Sequence, residues 1–201
     1  MKTKTEAKRL AILKAAAEVF REVGFERASM SEIRARTGGS KATLYNYFPS
    51  KEKLFFEVMY QAKELELADI THTLKPDAND LREELLHFGK RLLAALYSPE
   101  AIAIRRLAIA ESRHSNIGKI VFEGATAPIE NEVAEFLRKF MKRGALRTSD
   151  PKIAAMQLLS LLESEFLQRV LLGVVSSVKP EALTGAARRA VETFLSGYAR
   201  R

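Results

Sequence analysis

Apolar residues recur with a helical period along nearly the whole chain. Leu13, Ala16, Ala17 and Phe20 stand at i, i+3, i+4 and i+7, which is one face of a helix. Leu81, Leu85, Phe88, Leu92 and Leu96 draw a second stripe. No stretch alternates with period two for long enough to make a convincing strand. The punctuation between stripes is helical as well. Gly24 is placed as a C′ residue after the first helix. Ser29 with Glu32 three residues on fits a capping box, and the short helix it opens stops after Thr37 at Gly38-Gly39. Ser40 caps a third helix, Lys41 to Phe48, with Leu44 and Phe48 on one face. Pro49-Ser50 ends that helix, and Ser50 caps a fourth from Lys51 to about Thr73. Pro76-Asp77 separates the fourth from the next. Ser98-Pro99 and Asp150-Pro151 each read as an N-cap followed by an N1 proline, and Gly144 and Gly173 sit at C′ positions. Segment 116–143 is long for one helix, and Gly124 and Pro128 predict a kink or break inside it. The last helix runs from Pro180 to Tyr198. The chain is therefore all-α, with about nine helices and neither an internal repeat nor a low-complexity linker.

Composition fits this reading. Among 201 residues only 10 are Gly and 6 Pro, so turns are few. At 47% hydrophobic and 29% charged, the chain can bury a core. There is no cysteine, which excludes a disulfide framework, a thiolate metal site and a cysteine nucleophile. The segment after Met1 lacks the apolar run of a secretory signal, and no 18-residue apolar window exists to span a bilayer. A cytoplasmic protein with no membrane partner is expected.

The net charge of +8 is unevenly placed. Residues 1–53 carry 12 Lys/Arg against 6 Asp/Glu, whereas 54–201 carry 21 against 19. A basic N-terminal module, 1–53, is thus set off from a nearly neutral remainder, 54–201. Two short helices joined by a glycine turn and braced by a longer one make the tri-helical form of a helix-turn-helix. Its third helix presents Lys41, Ala42, Thr43, Tyr45, Asn46 and Tyr47 away from the Leu44/Phe48 face. Asn pairs with adenine, Thr bonds to a base or touches a thymine methyl, and Lys reaches guanine or phosphate. Hydroxyls of Ser29, Ser31, Ser40, Tyr45 and Tyr47, with Lys51 at the next helix start, suit phosphate oxygens.

Thr43-Leu44-Tyr45-Asn46-Tyr47-Phe48-Pro49-Ser50-Lys51-Glu52-Lys53-Leu54 resembles the signature of the TetR/AcrR transcriptional regulators. Phe20, Gly24-Phe25 and Ser31-Glu32-Ile33 match the family's first two helices, and the likeness covers about residues 8–55. Ala103-Ile104-Arg105-Arg106-Leu107 with Ala110-Glu111, and Gly144-Ala145-Leu146 before Asp150-Pro151, resemble its AcrR-type C-terminal domain. The resemblance implies an N-terminal DNA-binding domain followed by a C-terminal helical ligand-binding and dimerisation domain. It further implies a homodimer on double-stranded operator DNA, most simply a repressor on a near-palindromic operator, released by an unidentified small-molecule effector. Two positions depart from the pattern: Arg34 replaces a small residue, and Gly39 replaces a branched aliphatic. Arg34 is either an added DNA-backbone contact or a solvated or locally paired arginine.

The implied dimer seam is expected in helices around 153–172 and 181–198, with Leu158, Leu162, Leu183, Ala187, Phe194 and Leu195 supplying it. Met59, His87, Phe88, Phe122, Glu163 and Phe166 are candidate lining of the effector pocket. Each has a plainer reading. The aromatics are ordinary core and His87 a boundary residue. Glu163 is either paired with an arginine such as Arg169 or a counter-charge for a cationic ligand. The pairs Arg105-Arg106, Arg138-Lys139, Lys142-Arg143 and Arg188-Arg189 read as solvated faces. His72, His87 and His114 form no local metal motif, and no cofactor is called for. No catalytic spacing is present, so an enzyme is not expected. The alternatives are a helix-bundle enzyme or small-molecule carrier with no DNA role, and a protein that binds DNA without sequence choice.

Overall fold

Each short helix of the N-terminal segment begins with the side-chain cap that its sequence places there. The structure, a computed structural model, describes residues 5–72, 74–75, 80–113 and 116–200, excepting the side chains of 26, 59, 61–68, 71, 72 and 111. Helix α1 spans Glu6–Arg27, and Thr5 caps it by accepting from the Lys8 N–H. It breaks at Gly24, whose φ of 77° is open to glycine without strain. Helix α2 spans Met30–Thr37 and α3 spans Lys41–Tyr47. Ser29 accepts from the Glu32 N–H and Ser40 from the Thr43 N–H. Such caps contribute about 1 kcal/mol each. Only half of the expected capping box forms, because the Glu32 carboxylate turns to Arg36. Helix α3 ends one residue early, with Phe48 as its C-cap. Helix α4 spans Lys51–His72, capped by Ser50 through the Lys53 N–H.

The remaining elements are α5 (Leu81–Leu96), α6 (Pro99–Glu111), α7 (Ile117–Val121), a π-helical turn (Phe122–Thr126), α8 (Ala127–Lys142), α9 (Pro151–Glu163), α10 (Leu167–Leu171) and α11 (Pro180–Tyr198). Among the described residues the only β pairing is an isolated antiparallel bridge, Leu146 to Ala199. Gly124 falls in the π turn and Pro128 in the first turn of α8, so the anticipated break is a bend in a continuing helix. The segment around 153–172 is not one helix: α9 stops at Glu163 and α10 begins at Leu167.

The chain forms two compact units, Met1–Ala62 and Lys63–Arg201. The boundary falls inside α4, nine residues later than the expected one after Lys53. Leu54 is fully buried in the N-terminal core, and Phe55 and Val58 pack against it. That core is Ile12, Leu13, Ala16, Val19 and Phe20 of α1, Met30 and Ile33 of α2, and Leu44 and Phe48. Phe20, Phe25 and Phe55 interlock, with ring centroids 4.8–6.1 Å apart.

In the second unit, α5, α8, α9 and α11 pack around one core. At Gly89 of α5 a Cβ would stand 2.8 Å from the Leu162 side chain, so a glycine lets α5 approach α9. This packing also occupies the residues expected at the dimer seam. Leu158, Leu162, Leu183, Ala187 and Phe194 are all buried within the protomer, and Leu195 packs partly buried against the same core. Their apolar stripes are covered by α5, α8 and each other, so they have little surface left to offer a partner. Leu158→Ala should therefore lower protomer stability by about 2–5 kcal/mol, read as a reduced urea midpoint with an unchanged slope.

Candidate nucleic-acid interface

Helix α3 has two sides of opposite character. Leu44 and Phe48 are 2% and 1% exposed and anchor it in the core. Lys41, Ala42, Tyr45 and Asn46 lie on the opposite side and are exposed. Their spacing of i, i+1, i+4 and i+5 makes one contiguous face. The Lys41 ammonium sits 5.7 Å from the Tyr45 ring centroid, so the two long side chains support each other. Thr43 is half-buried, its hydroxyl 2.9 Å from that of the Ser40 cap. The Ser29 and Ser31 hydroxyls are likewise 2.9 Å apart at the start of α2. The face carries an ammonium, a carboxamide, a phenol and a methyl group. Those are groups that read base edges in a major groove.

Two expected phosphate ligands also bond inside the domain. The Tyr47 hydroxyl accepts from the Thr5 N–H at 2.7 Å, tying the end of α3 to the start of α1. Lys51 Nζ donates to the Phe25 carbonyl at 2.9 Å and lies 4.3 Å over the Phe25 ring. Other N-terminal cations are committed in the same way. Arg36 grips Glu22 through two bonds of 2.8 and 2.6 Å. Arg9 pairs with Glu57 and Glu6. Arg27 bonds the Val23 carbonyl, and Lys8 bonds the carbonyls of Thr37 and Gly38. Arg34 is exposed and makes no such contact with its side chain among the described residues. Sequence reasoning missed the roles of Lys8 and Arg36. Their partners lie 29 and 14 residues away, and no local spacing announces them.

The candidates for an effector pocket stand in differing surroundings. Phe88 is 1% exposed in the core, and His87 beside it is exposed. Phe122 is 52% exposed on the π turn. The side chain of Met59 lies outside the described residues. Glu163 pairs with Arg105, not Arg169, through two bonds of 2.5 and 3.0 Å. Both side chains are mostly buried, at 18% and 23% exposure. Arg106 bonds the Val170 carbonyl. Arg105 is thus structural, whereas Arg106 stays exposed while making its bond to the Val170 carbonyl. Phe166 stacks edge-on to Tyr97, whose hydroxyl donates to the Glu163 carbonyl at 3.3 Å. Burial pushes the Tyr97 phenol well above its ordinary range, with the Glu163 charge adding and Arg105 opposing. It therefore stays a neutral donor. Phe166 lines a groove of about 360 Å³, together with Ser164, Glu165, Gln168 and Arg169.

A short capped helix, anchored on one side and polar on the other after a glycine turn, defines a helix-turn-helix protein. Its relatives sharpen that class. Residues 12–58 match the model of the bacterial regulatory proteins of the tetR family. Residues 83–200 match that of the AefR-like transcriptional repressor C-terminal domain. The chain belongs to the TetR family of transcriptional regulators, which are not enzymes. It is 28% identical over 188 residues to the transcriptional regulator UidR of Escherichia coli strain K12, covering 91% of this chain and 87% of UidR. A putative TetR-family regulator from Mesorhizobium loti superposes with a TM-score of 0.79 at 28% identity, covering 99% of this chain and all of that one. The flavonoid-responsive regulator FrrA gives 0.68 at 28% identity, covering 98% and 100%. No helix among the described residues is long and apolar enough to cross a membrane.

The Arg36 grip has a consequence in solution. It holds the Glu22 carboxyl below its ordinary value, chiefly through the hydrogen bond and then through charge. What the pair adds to stability is present above the ordinary glutamate pKa and fades as pH falls through the lowered one. In Arg36→Ala the Glu22 carboxyl should titrate higher, toward its ordinary value, as followed by carboxyl NMR.

Proposed function

We propose that the protein is a cytoplasmic repressor that binds a near-palindromic operator as a homodimer and is released by a small-molecule effector. The observation that carries this reading is the exposed face Lys41, Ala42, Tyr45 and Asn46 on a helix locked by Leu44 and Phe48. Asn46 and Lys41 read base edges, with Thr43 at the flank of the face. Ser29, Ser31, Ser40 and the phenol of Tyr45 meet phosphate oxygens. Tyr47 and Lys51 set the position of α3 and of the start of α4 through their internal bonds. Arg34, exposed and with no acidic partner among the described residues, binds a phosphate. The family model of an AefR-like repressor domain supports repression, and the flavonoid response named for FrrA supports an effector of aromatic, uncharged type.

Dimerisation uses the outward face of the last helices. Ile153 and Met156 lie one turn apart on α9 and are 48% and 42% exposed. Leu172 and Val174, after α10, are 79% and 74% exposed. These apolar groups gain most from a second copy. A two-fold dimer then sets its recognition helices about 34–36 Å, or a multiple of that, apart.

Footprinting of the DNA upstream of the protein's own gene is the test. A discrete protected near-palindrome is expected, and uniform coating or no protection would overturn the reading. Asn46→Ala should change the selected sequence at one base pair per half-site, with a loss of about 1–3 kcal/mol against the preferred base. Arg34→Ala should weaken specific and random DNA alike and lower the salt slope by about 0.9 for each phosphate that the arginine neutralises. Ile153→Glu with Met156→Glu should convert the sedimenting species from dimer to monomer at micromolar protein.

A further inference from the structure

The helix-turn-helix turn has no side chain of its own to pack. It consists of Gly38 and Gly39, with φ of 64° and 103°, both in the region that favours glycine. Space beside it is open: a Cβ on Gly38 would meet nothing within 4 Å. A Cβ on Gly39 would find one atom, Lys8 Nζ, at 3.9 Å. Two consecutive glycines are the loosest link a chain can place between helices. Nothing in the turn itself fixes the angle between α2 and α3.

Lys8 supplies what the turn lacks. It lies near the start of α1 and is half-buried. Its ammonium donates to the Thr37 carbonyl at 2.9 Å and to the Gly38 carbonyl at 3.2 Å. These carbonyls close α2, where the last carbonyls of a helix lack intrahelical partners and carry its negative dipole end. One cation therefore caps α2, neutralises its terminus and straps the glycine turn to α1. At the far end of α3 the Tyr47 hydroxyl is bonded to Thr5, three residues before Lys8. The start of α1 thus holds the turn that leads into α3 and the far end of α3 itself.

We propose that Lys8 is a positioning residue for DNA recognition, acting through the turn carbonyls and not as a phosphate ligand. This rests on the reading of α3 as the recognition helix. A phosphate ligand and a positioning strap fail differently when removed. Removing a phosphate ligand weakens all DNA and lowers the salt slope by about 0.9. Removing a strap leaves the charges that meet DNA in place but lets α3 wander. Operator then suffers, random DNA does not, and the slope is unchanged.

The experiment compares wild type, Lys8→Met and Lys8→Arg. Amide hydrogen exchange is followed in the free protein, and anisotropy is measured on operator and random duplexes across a salt titration. In Lys8→Met the Thr43 and Leu44 amides, which bond to the Ser40 carbonyl, should exchange about tenfold faster. Val19 in the core should remain slow. Operator affinity should fall about tenfold while random-DNA affinity and slope hold. Lys8→Arg, which keeps a cation able to reach both carbonyls, should restore most of both effects. Unchanged exchange at Thr43 and Leu44 in Lys8→Met would overturn the proposal. So would equal losses on both duplexes with a lower slope. Should wild type bind no duplex, the reading of α3 fails, and the exchange measurement still decides whether Lys8 holds the turn.

Discussion

A seven-residue helix cannot hold itself together in water. Helix nucleation fixes several residues for one hydrogen bond, and isolated helices below about 12–15 residues are marginal. Helix α3 has seven residues, and it carries the exposed face Lys41, Ala42, Tyr45 and Asn46. Its existence depends on Leu44 and Phe48 being buried by α1 and α2. The cap of Ser40 closes its first turn, and the bond from the Phe48 N–H to the Leu44 carbonyl, 2.9 Å, closes its last. Recognition geometry is therefore a property of the three-helix unit. A substitution in the core of α1 can still displace Asn46.

The same constraint explains how the basic residues are used. A surplus of cations in the first 53 residues invites the view that each meets a phosphate. Most of those with visible partners instead bond to acceptors within the unit. Arg9 and Arg36 reach carboxylates, while Lys8, Arg27 and Lys51 reach backbone carbonyls. Arginine and lysine suit this task because their long stems lie along apolar surface while the charged end reaches a distant acceptor. Exposed ion pairs contribute little stability, typically below about 1 kcal/mol. Their effect here is orientation: each ties two segments that the small core alone would leave free to rotate. Net charge is thus a sound guide to the field around the unit and a poor count of its DNA contacts.

What was legible in the sequence was local. Helix limits at Met30, Thr37, Lys41 and Pro180 follow from caps, glycines and prolines within a few residues. Leu44 and Phe48 as core, and Asn46 as surface, follow from helical period alone. The unread features join distant residues: Tyr47 to Thr5 across 42 positions and Arg105 to Glu163 across 58. Glu163 was visibly a carboxylate needing a partner. Which arginine answered depended on α6 lying against the junction after α9, and no spacing encodes that. Leu158 and Ala187 show a related limit. An apolar stripe states that a face is covered, but not whether its own chain or a second copy covers it.

The junction after α9 also bounds how a small molecule can act on this fold. Arg105 and Arg106 of α6 grip Glu163 and the Val170 carbonyl, and Tyr97, which follows α5, donates to the Glu163 carbonyl. A displacement of α6 that broke the Arg105–Glu163 pair would strand a mostly buried carboxylate. Fully buried pairs cost about 3–5 kcal/mol to break in this way, and partial exposure reduces that to about 2–3. An effector moves such an equilibrium only through its preference for one state over the other. To shift α6 against this pair alone, it would need to favour the displaced state by a factor of about 100. Interactions of that differential strength come from burying several ring atoms or from replacing the broken ion pair. A weak ligand on the open groove at Ser164–Arg169 offers neither while the pair stays intact. The polar latch on α6 therefore sets the least affinity difference that a molecule displacing α6 against it would have to supply.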